Sequence, residues 1–207
     1  MRCFLGFATD PPLVTALRAV STTLREDGVR AQWLPEQNWH MTLVFLGDIS
    51  ATQQDALMEP LRTLAATTAP VMQPLSQVCA FPGATGPLLA AEGHCVAPLA
   101  AFQAQAAARC RTLGIPVEMR PYRPHVTLAR HLTSRALTPQ PLGAALTARR
   151  LCLYQSEPNP DQSEPNPDQS ESNPGESDRN HADRNLALPQ SHNSYRILAH
   201  WTLAGTG

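Results

Sequence analysis

Two histidines stand in the same four-residue phrase. Residues 40–43 read His-Met-Thr-Leu and residues 125–128 read His-Val-Thr-Leu. In a β-strand, residues i and i+2 share a face. His40 and Thr42 would therefore stand side by side, with Met41, Leu43 and Phe45 turned to the core. His125 and Thr127 would do the same above Val126 and Leu128. Two imidazoles with hydroxyl neighbours suit acid–base chemistry on a phosphate ester: one ring takes a proton from the attacking oxygen and the other protonates the departing one. The hydroxyls would meanwhile bind the phosphoryl oxygens. Such a pair gives a bell-shaped pH profile near neutrality. A single copy of so short a pattern is weak, and a lone strand histidine is more often a satisfied core or edge residue. Two copies in matching contexts say more, provided the chain has two similar halves.

The flanking pattern supplies them. Residues 2–8 read as a strand. Asp10 reads as an N-cap with Pro11 at the first helical position, and Leu13, Leu17, Val20 and Leu24 follow at helical spacing up to Gly28. The His40 strand runs to about Leu46 and ends at Gly47. Ser50 and Gln53 form a capping box for a second helix through about Ala65. Short strands are expected near 71–80 and 87–91. Leu99, Phe102, Ala106, Cys110 and Leu113 then mark a third helix closed by Gly114, before the His125 strand. Further strands are expected at 147–154 and 194–203. The order strand, helix, H-x-T strand thus occurs twice, and two such units face to face would put both His–Thr pairs on one cleft. Side chains more than about 10 Å apart could not flank one phosphorus.

The chain has 207 residues and 43% hydrophobic content, enough for a core in one large domain or two small lobes. No stretch approaches the ~20 apolar residues of a membrane span, and no leader is read at the N-terminus, so a cytoplasmic protein and a monomer are expected. Five scattered cysteines without a C-x-x-C pair suggest buried free thiols. No H-x-H, H-E-x-x-H or Asp-rich cluster is present, so neither metal nor cofactor is expected. His94, His131, His181, His192 and His200 lack the H-x-T context.

Charge is segregated. Residues 155–178 hold seven acids and no basic residue. Setting those aside leaves ten acids against 16 basic residues, a balance of +6, and every basic residue is Arg. A basic, Arg-bearing body suits an anionic ligand such as RNA, although coding bias alone would replace Lys by Arg. Residues 155–175 run through three near-copies of Gln-Ser-Glu-Pro-Asn-Pro-Asp. With nothing apolar to bury, 156–193 reads as a disordered acidic insert between the last two strands. It is either an acidic flap competing with RNA or an expansion without a role.

Taken together, residues 4–7 (F-L-G-F), 38–47 (N-W-H-M-T-L-V-F-L-G), 120–130 (R-P-Y-R-P-H-V-T-L-A-R) and 195–203 (Y-R-I-L-A-H-W-T-L) resemble the 2H phosphoesterase superfamily. Within it they resemble the bacterial RNA 2′,3′-cyclic phosphodiesterases, or 2′–5′ RNA ligases. The resemblance spans nearly the whole chain outside the insert. It implies a single α+β domain over 1–207, two-lobed and pseudo-duplicated, with antiparallel sheets flanking a central cleft and helices outside. It implies metal-independent hydrolysis of RNA 2′,3′-cyclic phosphate ends to 2′-phosphomonoesters, and in some members reversible joining of tRNA halves. His40 matches the proton donor and His125 the proton acceptor, while Thr42 and Thr127 match the phosphate-binding hydroxyls. Arg130 matches a substrate contact, provided the strand bends or bulges before it; otherwise it is a solvated strand-end charge. Tyr122 and Arg123 would stack on a base or touch the RNA backbone. The alternatives are an RNA-end binding protein with little turnover, a phosphodiesterase for small cyclic phosphates or 2′–5′ oligonucleotides, and a divalent-metal phosphodiesterase.

Overall fold

The computed structural model describes residues 1–83, 86–133, 137–157 and 194–205. Nine strands and three long helices alternate along it. β1 (Arg2–Ala8) leads to α1 (Pro11–Glu26), the short β2 (Gln32–Trp33) and β3 (His40–Asp48). Next come α2 (Ala51–Ala66), β4 (Val71–Phe81), β5 (Leu88–Glu92), α3 (Ala97–Thr112) and β6 (His125–Arg130). β7 (Gln140–Ala148), β8 (Arg150–Glu157) and β9 (Ser194–Thr202) complete the described chain.

The fold is α+β, and the duplication lies in its strand order. The sheet runs β7-β4-β5-β6-β3-β1-β8-β9, with β2 added to β6, and every pairing is antiparallel. β3 and β6 are neighbours at the centre, and each carries three further strands outward. β1–α1–β3 and β5–α3–β6 are thus the two copies of strand, helix, H-x-T strand. The two expected sheets are hydrogen-bonded into one, but the seam is thin: β3 and β6 share the single pair Met41–Val126.

The helices form where spacing and caps direct them. α1 buries Leu13, Leu17, Ser21 and Leu24. Ser50 accepts from the Gln53 amide at 3.1 Å while the Gln53 side chain accepts from the Ser50 amide at 3.0 Å, so α2 begins in the expected capping box. Gly28 and Gly114 follow α1 and α3 with φ of 78° and 70°, a conformation that costs glycine little. Asp10 occupies the N-cap position of α1, yet its carboxylate accepts instead from the Thr147 amide of β7 at 3.3 Å. The competing donor lies on a strand 137 residues away, beyond the reach of a local rule. α1 packs on β7, α2 on β9 and α3, and α3 on β3 and β4. One apolar core fills the space between, with Phe7, Met41, Leu57, Phe102, Val126 and Leu146 fully buried in it.

Two strand expectations need correction. The stretch 147–154 is not one strand: residues 147–148 end β7, the ladder breaks at Arg149, and β8 starts at Arg150. β7 itself, with few β-branched residues, has weak local strand character and is held by pairing with β4. The expected insert begins later than 156, since Ser156 and Glu157 pair with Tyr195 and Ser194 in the β8–β9 ladder. The rest of it, 158–193, lies outside the described residues.

Candidate active site

His40 is the first residue of β3 and His125 the first of β6. The one pair joining those strands, Met41–Val126, therefore sits immediately beside both. Continuing this antiparallel register by one residue either way puts His40 opposite Thr127 and Thr42 opposite His125. All four lie on the face away from the buried Met41 and Val126. Diagonal neighbours in such a ladder are roughly 7–8 Å apart at the backbone. The sheet thus brings the two His–Thr pairs together at the seam of the halves.

The residues after each motif are matched as well. β3 skips Leu43 in its register with β1, and β6 skips Leu128 in its register with β5. Each skip is a β-bulge, which turns the next side chains to the opposite face. Leu43 and Val44 are both buried, as are Leu128 and Ala129. Phe45 consequently emerges 52% exposed on the histidine side, where the unbroken alternation had placed it in the core. By the same device Arg130 turns to the side of His125 and Thr127, the condition its assignment as a contact required.

The rings are held alike and surrounded differently. His40 Nδ1 lies 2.7 Å from the Asn38 carbonyl, and His125 Nδ1 lies 2.9 Å from the Arg123 carbonyl, two residues upstream in both cases. A carbonyl only accepts, so each Nδ1 carries the hydrogen and each Nε2 remains for proton transfer. The His40 ring stacks on Phe4 at 4.7 Å, meets the Tyr195 ring edge-on at 4.8 Å and approaches Tyr154 at 5.5 Å. Burial among these rings pushes its pKa down to about 4. The Asn38 carbonyl opposes this, while the charges of Arg130 and His125 add to it. His125 stacks on Phe81 at 4.2 Å. Its pKa is also lowered, first by burial and then by Arg123 and Arg120, against the Arg123 carbonyl and Glu92.

The remaining expected residues divide. Arg130 donates through Nη2 to the Tyr195 hydroxyl at 2.8 Å, and its buried Nε has no hydrogen-bond partner among the described residues. Arg123 lies 4.3 Å over the Phe81 ring and pairs with Glu92 at 2.7 Å, so it buttresses the stack under His125. Tyr122 sends its hydroxyl to the Thr42 carbonyl at 3.0 Å, tying the loop before β6 to β3. Tyr122 also lines a cavity of about 120 Å³ with Thr42, Phe45, Phe81, Gln103, Arg120 and His125. That cavity opens on the His125 side, while aromatic rings cover His40. Among the described residues no three of His, Cys, Asp or Glu are grouped to hold a metal, and no helix is long and apolar enough to cross a membrane.

A family model described as LigT like Phosphoesterase matches the chain twice, over residues 9–88 and 92–161. Each match contains one H-x-T. The chain belongs to the LigT-like phosphoesterase family. A curated relative, the RNA 2′,3′-cyclic phosphodiesterase of Geobacillus stearothermophilus, is 32% identical over 99 residues. That alignment takes in 47% of this chain and 32% of the relative, so it spans about a third of the relative's length. Solved structures share the fold. TT0787 of Thermus thermophilus aligns over all of both chains with a TM-score of 0.74 at 20% identity. E. coli LigT complexed with 3′-AMP aligns over 98% of this chain and 97% of its own, with a TM-score of 0.67 at 16% identity.

Within this LigT-like site, sequence reasoning missed Tyr195, Phe81 and Phe4. Phe4 was legible only as an apolar strand residue, and Phe81 lies far upstream of the ring it supports. Tyr195 was visible in the closing motif, but nothing local tells that β9 reaches Arg130.

Proposed function

We propose that this protein hydrolyses RNA 2′,3′-cyclic phosphate ends to 2′-phosphomonoesters by two-histidine acid–base catalysis that needs no metal. The observation that carries the reading is the crossed arrangement at the Met41–Val126 pair, each histidine facing the other motif's threonine, with both Nδ1 atoms fixed by carbonyls. A strained cyclic phosphate bound there has a nitrogen on each side of phosphorus. His125 Nε2 takes a proton from water as its oxygen bonds to phosphorus. The bond to O3′ breaks, and His40 Nε2 gives that oxygen its proton. Thr42 and Thr127 hydroxyls donate to the phosphoryl oxygens, and Arg130 supplies positive charge. A bound phosphate anion also opposes the charges that depress His40, which lets that ring hold a proton when the site is filled. The exposed Phe45 offers a face to the terminal base in the cavity beside His125.

Replacing water by the 5′-hydroxyl of a second RNA gives a 2′–5′ bond with the same proton transfers, so joining of tRNA halves is part of the same proposal. His40→Ala and His125→Ala test it with a short RNA ending in a cyclic phosphate. Each is expected to lose at least ~100-fold in kcat, the scale of one acid–base group. Under threefold loss in both contradicts the proposal.

A further inference from the structure

Among the described residues, Arg130 combines a buried, unpartnered Nε with a neutral hydrogen-bond partner. Arg18, Arg62, Arg120, Arg123 and Arg196 each lie within 4 Å of a carboxylate. Arg130 instead donates to a neutral hydroxyl, Tyr195 at 2.8 Å, and makes no ion pair among the described residues. Its Nε is buried with no partner among them. A buried guanidinium donor left unpaired is costly unless a ligand completes it. Holding the group by a neutral acceptor leaves its full charge for an anion.

The contact is also a long reach. β6 and β9 are four places apart in the sheet order. In a flat sheet that is about 19 Å, at the usual strand spacing. The sheet must therefore curl enough to bring the start of β9 within side-chain reach of the last residue of β6. The Tyr195 ring then stands edge-on to His40 at 4.8 Å and to Phe4 at 5.3 Å. One side chain thus touches the arginine and one of the two histidines from the far edge of the sheet.

We infer that Tyr195 is a positioning residue for the phosphate: its hydroxyl fixes the Arg130 fork beside His40, so that the free guanidinium N–H groups meet a phosphoryl oxygen. The inference rests on the proposed phosphate chemistry. Accepting from Nη2 leaves the phenolic proton pointing away from Arg130, and long arginine side chains otherwise lose much rotamer freedom when a ligand orders them. Because Arg130 grips the phosphate in ground and transition states alike, Tyr195 acts on binding more than on the chemical step.

Tyr195→Phe keeps the ring against His40 and removes only the acceptor. With RNA ending in a 2′,3′-cyclic phosphate, KM is expected to rise roughly tenfold, the scale of a hydrogen bond to a charged group, with kcat within threefold. The dissociation constant for inorganic phosphate, titrated by 31P NMR, should rise by the same factor. In an Arg130→Gln background, adding Tyr195→Phe should change neither further. Tyr195→Phe within twofold of wild type, or an equal loss in the Arg130→Gln background, overturns the inference. A wild type that turns over no cyclic phosphate defeats the proposed function, yet the phosphate titration still decides for Tyr195. A wild type that binds no phosphate overturns both.

Discussion

Both histidines are neutral in the empty site near neutral pH, because burial holds His40 at about 4 and draws His125 below its ordinary value. Acid–base catalysis needs one charged and one neutral ring, and kcat/KM reports the free enzyme. Its maximum is therefore expected between pH 4 and 6.5, acid of the maximum in kcat, where bound phosphate favours the charged ring. A kcat/KM maximum above pH 7 contradicts the pair's environment as described. The same burial links to stability. The unfolded chain protonates His40 near 6.5 and the folded chain only near 4, so between those values the unfolded state binds more protons. Stability is then present above 6.5 and lost as pH falls toward 4. His40→Phe, set among Phe4, Tyr154 and Tyr195, should flatten that part of the stability-against-pH curve measured by urea unfolding.

At the scale of elements, the strands do more than carry the motifs. The bulges at Leu43 and Leu128 are what bring Phe45 and Arg130 to the histidine face. Gly6 is what lets β1 lie close under the first motif, because a Cβ there would be 2.7 Å from the Met41 carbonyl oxygen. Gly6→Val is expected to cost about 1–3 kcal/mol, the range for overpacking, and to lower kcat by shifting His40. Ser50→Ala should cost about 1 kcal/mol from the lost cap with kcat unchanged, since α2 begins far from the cleft face. Thermal unfolding and steady-state rates on the two variants separate the effects. Most of this was readable from the chain: H-x-T twice, the capping box at Ser50, and three helical stripes, two of them ended by glycine. What escaped were features without a local signature. A bulge is one extra residue that only the partner strand reveals, so period-2 reasoning buried Phe45. β7 exists because β4 pairs with it. Asp10 abandons its helix for a strand amide.

Over the whole molecule, the halves meet at the Met41–Val126 pair, at the short β2–β6 pairing, through one tyrosine bond on either side and in a shared core. The first acidic repeat contributes Gln155, Ser156 and Glu157 to the end of β8, and β8 and β9 pair out to Glu157 and Ser194. Joining these two residues through Asn-Gly in place of 158–193 should leave the fold intact, since a two-residue turn closes an antiparallel pair and loop closure depends weakly on length. KM at low salt is expected to be unchanged; a several-fold fall would instead identify the acidic segment as a competitor for RNA. The +6 balance outside the acidic stretch predicts an affinity for RNA that falls with salt in a log–log line. The most direct measurement is a short RNA ending in a 2′,3′-cyclic phosphate, incubated with the protein in EDTA, with the product typed as 2′- or 3′-phosphate. A 2′-phosphate, formed undiminished by the chelator, is the predicted result. A 3′-phosphate, or activity that vanishes with EDTA, would contradict the two-histidine mechanism.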